Sequence, residues 1–177
     1  TVREMENVEI YAVVSRTAER AKAFAQTWNI QKAFDSISEM LDDEQVDLVY
    51  IATPHSQHYD EARQCLLKKK AVLCEKAFTA TAWQAEELLR LAAEKHVFIT
   101  EAIWTRYMPL SKTLNEIVES GIIGRPTMLT ANLGYPNYDK ERLQNPALAG
   151  GALLDLGVYP INFASMILGA EVVKIVS

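Results

Sequence analysis

Between residues 8 and 104, short apolar runs alternate with longer segments in which apolar residues recur every three or four positions. Residues 8–15, 47–53, 71–74 and 97–100 have strand length, carry β-branched side chains and end at polar or turn-forming residues. Residues 17–28, 37–41, 57–68 and 79–95 have helical spacing, with Thr17 and Thr79 placed as amino-terminal caps. Strand, helix and strand in repetition predict an α/β fold with a doubly wound parallel sheet.

The pattern changes near residues 102–108. A helix over residues 109–119 is followed by Gly121 and Gly124-Arg125-Pro126, which punctuate the chain before a strand-like stretch at 127–133. Residues 135–149 are polar and read as a loop. Gly150-Gly151 leads into an apolar helix at 153–168 and a last strand at 171–176. The expected organisation is one domain over residues 1–104 and a second over 105–177. Residues 1–7 read as the tail of a helix entering a strand, and 171–176 as a strand with nothing after it to pair with, so the chain is expected to be cut at both ends.

Composition narrows the function. With 177 residues, 49% hydrophobic and 23% charged, the chain has enough apolar surface for a core. A net charge of -5 and a pI near 5.3 argue against binding through nucleic-acid phosphates or an anionic membrane. Lys68, Lys69 and Lys70 read as the solvated end of a helix. Cys65 and Cys74 lack the paired spacing of a zinc site or disulfide framework, so two reduced thiols and no metal are expected. No window reads as a signal peptide or a membrane span, which makes the cytoplasm the expected setting.

Open parallel sheets bind ligands beyond the carboxyl ends of their strands. Four such ends carry polar chemistry. Ser15-Arg16 stands where an arginine suits a ribose 2'-phosphate, favouring NADP over NAD; its bland alternative is a capping serine beside a solvated arginine. Thr53-Pro54-His55 and His58 open a helix whose free amides suit a polar cofactor group, although histidines there are more often local hydrogen-bonding residues. Glu75-Lys76 leaves an apolar strand directly, and the fourth end is Glu101 to Trp104. Further on, Asp155 and Tyr159 stand four residues apart in an apolar segment, on one face if helical, where buried polar groups need partners.

Four segments, Ala52-Thr53-Pro54-His55-Ser56-Gln57-His58, Cys74-Glu75-Lys76-Ala77, Glu101-Ala102-Ile103-Trp104-Thr105-Arg106-Tyr107-Met108-Pro109 and Gly150 through Pro160, together resemble the glucose-fructose oxidoreductase and inositol dehydrogenase family. Trp104-Thr105-Arg106 and a tyrosine at 159 resemble its dimeric dihydrodiol dehydrogenase-like members. The resemblance implies a Rossmann domain lacking its first strand, then part of an α+β domain with an open, mostly antiparallel sheet that packs against another subunit. It implies Lys76, Tyr159 and Asp155 as catalytic residues and a sugar, polyol or cyclic diol as substrate. It also puts Ser15, Arg16, Thr53, Pro54, His55, His58, Glu75, Lys76, Trp104 and Arg106 around NADP or NAD.

Three departures stand out, one being that the rest of the carboxy-terminal sheet expected from the resemblance is absent from these residues. No G-x-G-x-x-G turn occurs, so these 177 residues are expected to bind the cofactor weakly, and Ala77 stands where the family usually has proline. A dinucleotide-sensing protein without catalysis is the alternative reading, since fold alone does not establish chemistry.

Overall fold

The computed structural model describes residues 2–137 and 139–176. The chain forms two compact units, one of Thr1–Ile51, Asp60–Leu73 and Glu86–Thr100, the other of Ala52–Tyr59, Cys74–Ala85 and Glu101–Ser177.

In the first unit, β1 (Ala12–Val14) runs into α1 (Ala18–Trp28) and back to β2 (Lys32–Phe34), a parallel pair in the register Ala12 with Lys32, Val13 with Ala33 and Val14 with Phe34. The Thr17 hydroxyl accepts the Arg20 amide and starts α1 as expected. Asn29 ends it in the left-handed conformation, where its amide reaches the carbonyls of Ala25 and Gln26. Between the two caps, Ala21 and Ala25 form the buried stripe, four residues apart.

The short α2 (Ile37–Leu41) precedes a second sheet of order β3 (Leu48–Ile51), β4 (Ala71–Cys74), β5 (Ile99–Glu101). Val72 donates to Phe98, and Ala102 donates back to Cys74. Residue numbers rise together along that ladder, as in parallel strands. Helices α3 (His55–Leu67) and α4 (Ala82–Lys95) are the crossovers. The first unit's innermost side chains are Cys65, Leu66, Val72 and Leu88, all completely buried. Lys68 and Lys70 reach Asp42 and the Asp43 carbonyl, so the basic run ends α3 by bonding to the chain after α2.

The second unit holds a 3-10 turn (Trp104–Tyr107), α5 (Pro109–Glu119), α6 (Glu141–Gln144) and α7 (Val158–Leu168), with a π-helical turn (Leu153–Gly157) leading into α7. Proline at the first position of α5 costs no hydrogen bond, because that amide has no partner in a helix. Helix α7 packs against both the Trp104 turn and α5.

Several expectations need correction. Residues 127–133 and 171–176 form no ladder among the described residues, so the expected antiparallel sheet is not built; a strand needs a partner to bond to, and Met128, Val173 and Ile175 lie open to solvent. Strand β2 was not expected, because three residues with one aromatic give almost no periodic signal. Helix α4 starts after Thr81 and not at Thr79: Gln84 donates its amide to the Thr81 hydroxyl and returns its side-chain oxygen to the Ala80 and Thr81 amides. The helical tail expected over residues 1–7 is a 3-10 turn at Val2–Glu4, with Thr1 outside the described residues; so is Tyr138 of the expected loop.

Candidate functional site

The site is assembled within the second unit from the segments that follow three strands and the turn before α7. After β3, the Thr53-Pro54 turn opens α3, and the Gln57 amide donates to the Pro54 carbonyl. His55 and His58 are both buried and meet edge to face, with centroids 5.7 Å apart. His58 places one ring nitrogen 2.8 Å from the Ala77 carbonyl and the other 2.9 Å from that of Thr53, clamping the turn after β3 to the turn after β4. The Nδ1 of His55 faces the Ala149 carbonyl at 3.1 Å. Burial holds the His55 ring below the ordinary histidine range, helped by the charge of Lys76 and only partly offset by the Ala149 hydrogen bond and Asp155.

Beyond β4 the peptide between Lys76 and Ala77 is cis. The Lys76 amide donates to the Glu75 carboxylate at 3.2 Å, and the Phe78 amide to Glu101 Oε1 at 2.8 Å. Burial raises the Glu101 carboxyl above its usual range, against the pull of the Phe78 amide and the Arg106 charge. Glu75 and Glu101 thus brace the backbone on both sides of Lys76. The lysine's ammonium partner is Asp155: Nζ lies 3.0 Å from Oδ1 and 2.6 Å from the Asp155 carbonyl.

Asp155 sits in the π-helical turn, a local widening often found where a side chain must be aimed at a site. It is 5% exposed. Burial alone would raise its carboxyl, but hydrogen bonds from Lys76 and Arg142, with their charges, overcome this and hold it below the ordinary aspartate range. Arg142 donates to the same Oδ1 at 3.2 Å.

One turn on, Tyr159 presents its ring to Lys76 Nζ, 5.0 Å from the centroid. The Trp104 indole N–H donates to the Tyr159 hydroxyl at 3.2 Å. Arg106 turns towards α7, donating to Asn162 at 2.9 Å and Ser165 at 3.1 Å, and so seats the Trp104 turn on that helix.

The structure therefore gathers Lys76, Asp155, Tyr159 and Trp104 into one cluster, with Thr53, Pro54, His55, His58 and Glu75 in the supporting turns and Arg106 behind. Ser15 and Arg16 belong to the other unit, at the carboxyl end of β1, where the Ser15 amide donates to Phe34 and Arg16 is exposed. Arg142 and the Ala149 carbonyl had no sequence signal, being a lone arginine and a backbone atom in a polar stretch. Glu101 stood in a noted strand end, but its reach to Phe78 depends on the fold. Both cysteines are buried and outside any disulfide, and burial pushes the Cys65 thiol up to about 12. Among the described residues no group of three or more His, Cys, Asp or Glu could hold a metal ion.

The stretch Pro146–Leu168 is long and apolar enough, by length and composition alone, to cross a membrane, with a mean hydropathy of 1.4 in its most apolar window. Within it the Asp155 charge is paired to Lys76 and Arg142, and Ala149 and Gly151 have positive φ.

Residues 1–102 match the family model GFO_IDH_MocA, described as an oxidoreductase family with an NAD-binding Rossmann fold, and residues 111–177 match the GFO/IDH/MocA C-terminal domain. A trans-1,2-dihydrobenzene-1,2-diol dehydrogenase from Mus musculus is 40% identical over 163 residues, 92% of this chain and 49% of that protein. A D-xylose 1-dehydrogenase (NADP(+)) from Hypocrea jecorina is 44% identical over 88% of this chain and 43% of its own. The chain thus spans about half the length of these relatives. Among solved structures, a 3-ketoreductase from Actinomadura kijaniata in complex with TDP-benzene and NADP superposes with a TM-score of 0.75 at 28% identity, over 96% of this chain and 51% of that one.

Proposed function

Because this chain belongs to the GFO/IDH/MocA oxidoreductase family, we propose that it carries the catalytic part of an NADP- or NAD-dependent dehydrogenase or reductase acting on a sugar, polyol or cyclic diol. The observation that carries the reading is the Lys76 ammonium lodged between Asp155 and the ring of Tyr159, whose hydroxyl receives the Trp104 indole N–H.

Each group has a separable task. An ammonium has three N–H donors, and Asp155 engages Lys76 through its carbonyl and its carboxylate; the third is left for a substrate oxygen, where it stabilises developing negative charge. In the reducing direction the Tyr159 phenol gives its proton to the substrate carbonyl oxygen and is left as a phenolate; in the oxidising direction that phenolate takes the proton of the substrate hydroxyl and becomes the phenol again. Trp104 donates to the phenolic oxygen, which stabilises the phenolate and, in the phenol, leaves the tyrosine's own proton to point elsewhere, towards substrate.

The residues fit the nicotinamide coenzyme in part. The exposed Arg16 at the carboxyl end of β1 suits a 2'-phosphate, and the turn opening α3 suits a polar group, while no G-x-G-x-x-G cradle for the pyrophosphate is among the 177 residues. When bound, the coenzyme supplies or takes up the hydride at the carbon bearing the reacting oxygen. The same reading divides the chain into a nucleotide domain over residues 1–104 and a substrate domain over 105–177. It sets the protein in the cytoplasm and includes self-association through the carboxy-terminal region, where Ile122, Met128 and Val173 are exposed.

The test compares hydride transfer by the full-length gene product and its Lys76→Ala and Tyr159→Phe variants across a panel of sugars, polyols and trans-diols. Turnover is expected to fall on the order of 10²–10³-fold in each variant with NADP affinity kept. Coenzyme binding without turnover of any panel member would favour a dinucleotide sensor, and full activity in either variant would remove the mechanism.

A further inference from the structure

Asp155 has two cationic partners, and only one of them, Lys76, has a task in the proposed reaction. The second, Arg142, comes from α6, in the polar stretch before Gly150. Its guanidinium approaches the same carboxylate oxygen as the lysine, at 3.2 Å against 3.0 Å, and its side chain is 48% exposed where those of Lys76 and Asp155 are 14% and 6%. This is an asymmetric three-ion cluster, with two cations on one buried anion and the outer cation facing solvent.

We propose that Arg142 is a positioning residue of the same site, which holds the Asp155 carboxylate so that the Lys76 ammonium keeps an N–H free for substrate. The inference rests on the dehydrogenase reading for what the lysine does, but not for where the arginine sits. A buried carboxylate with one cationic partner would pair with that partner alone and neutralise it. With Arg142 present the cluster has a net positive charge, which favours negative charge growing on the reacting oxygen.

The backbone is built for the contact. Gly150 lies so close to α6 that a Cβ there would stand 2.8 Å from the Leu143 carbonyl carbon and 2.9 Å from the Arg142 carbonyl oxygen, so only glycine lets this approach happen. The Gly150 amide donates to the Asn145 carbonyl at 3.1 Å, and Nδ1 of His55 faces the carbonyl of Ala149 beside it. The segment that delivers Arg142 is therefore fastened at both ends, at α6 and at the start of α3. His55 also feels the Asp155 charge.

The experiment uses the full-length gene product and its Arg142→Met and Arg142→Lys variants. For the best substrate of the panel, Arg142→Met is expected to lower kcat roughly tenfold to a hundredfold, with KM, the thermal midpoint and NADP affinity nearly unchanged. Arg142→Lys, which restores a cation without the planar fork, is expected to recover part of the loss. In parallel, the Asp155 carboxyl, followed by carbon NMR and assigned with Asp155→Asn, is expected to titrate at higher pH in Arg142→Met. An unchanged kcat overturns the proposal, as does a loss that follows the thermal midpoint or the NADP affinity. If the unmodified protein turns over no substrate, the dehydrogenase reading fails by itself, and the carboxyl titration still decides: an Asp155 that does not move overturns the role of Arg142.

Discussion

His55 and His58 stand three residues apart at the start of α3, and both are buried, yet they are bonded differently. His58 spends both ring nitrogens on the carbonyls of Thr53 and Ala77. His55 has a single carbonyl partner and is held below the ordinary histidine value of 6.5, chiefly by burial. A group whose folded value is depressed binds fewer protons in the folded state, so its stabilisation is complete above the unfolded value and is lost as pH falls through the folded one. The protein should lose stability below pH 6.5. His55→Gln should flatten that slope in urea titrations at several pH values, while equal slopes would assign the acid sensitivity to other groups. The Asp155 contribution has the same sign but operates lower, below the ordinary aspartate value of 3.8.

At this scale the sequence points to Lys76, Asp155 and Tyr159 because of what they are: charged or phenolic groups leaving apolar segments, which need partners wherever the chain takes them. It does not point to Arg142, nor to what Glu101 bonds. A surface arginine and a strand-end glutamate look the same whether they meet solvent or a buried partner, and their partners lie 13 and 23 residues away.

At the scale of elements, caps separate what is local from what is not. Thr17 was legible because its hydroxyl bonds three residues along the same chain, to the Arg20 amide. Thr79 and Thr81 compete two residues apart, and the deciding partner is Gln84, which completes a reciprocal pair with Thr81; the Thr79 hydroxyl donates to the Thr81 carbonyl instead. Thr17→Ala and Thr81→Ala should each cost about 1 kcal/mol in chemical denaturation. Thr79→Ala should not weaken α4 through its cap. A larger loss at Thr79 than at Thr81 would restore the original assignment. Helix α5 has the bounds expected from its leading proline and its helical spacing, since both signals are internal to it.

For the whole molecule, the question is which strands find partners. In the β1–β2 ladder Lys32 donates to Tyr11 and Ser15 donates to Phe34, which turns the amides of Ala12 and Val14 to the side away from β2. Among the described residues the sheet of β3, β4 and β5 is separate from this pair. Amide exchange followed by NMR should therefore find Ala12 and Val14 faster than Val13 and Ser15 in the 177-residue chain. Equal protection would show that something else covers that edge.

By itself the sequence determined the alternating α/β order, most helix bounds, the family and the residue types able to do acid–base chemistry, because periodicity, local caps and short motifs act within a few residues. Tertiary structure alone decided that residues 127–133 and 171–176 form no ladder among the described residues, and that Asp155 would take two cations. It also decided that Trp104 would bond to Tyr159. The reason is common to all of these: a hydrogen bond or ion pair between distant positions depends on which backbone comes near, and nothing at either position alone records its partner.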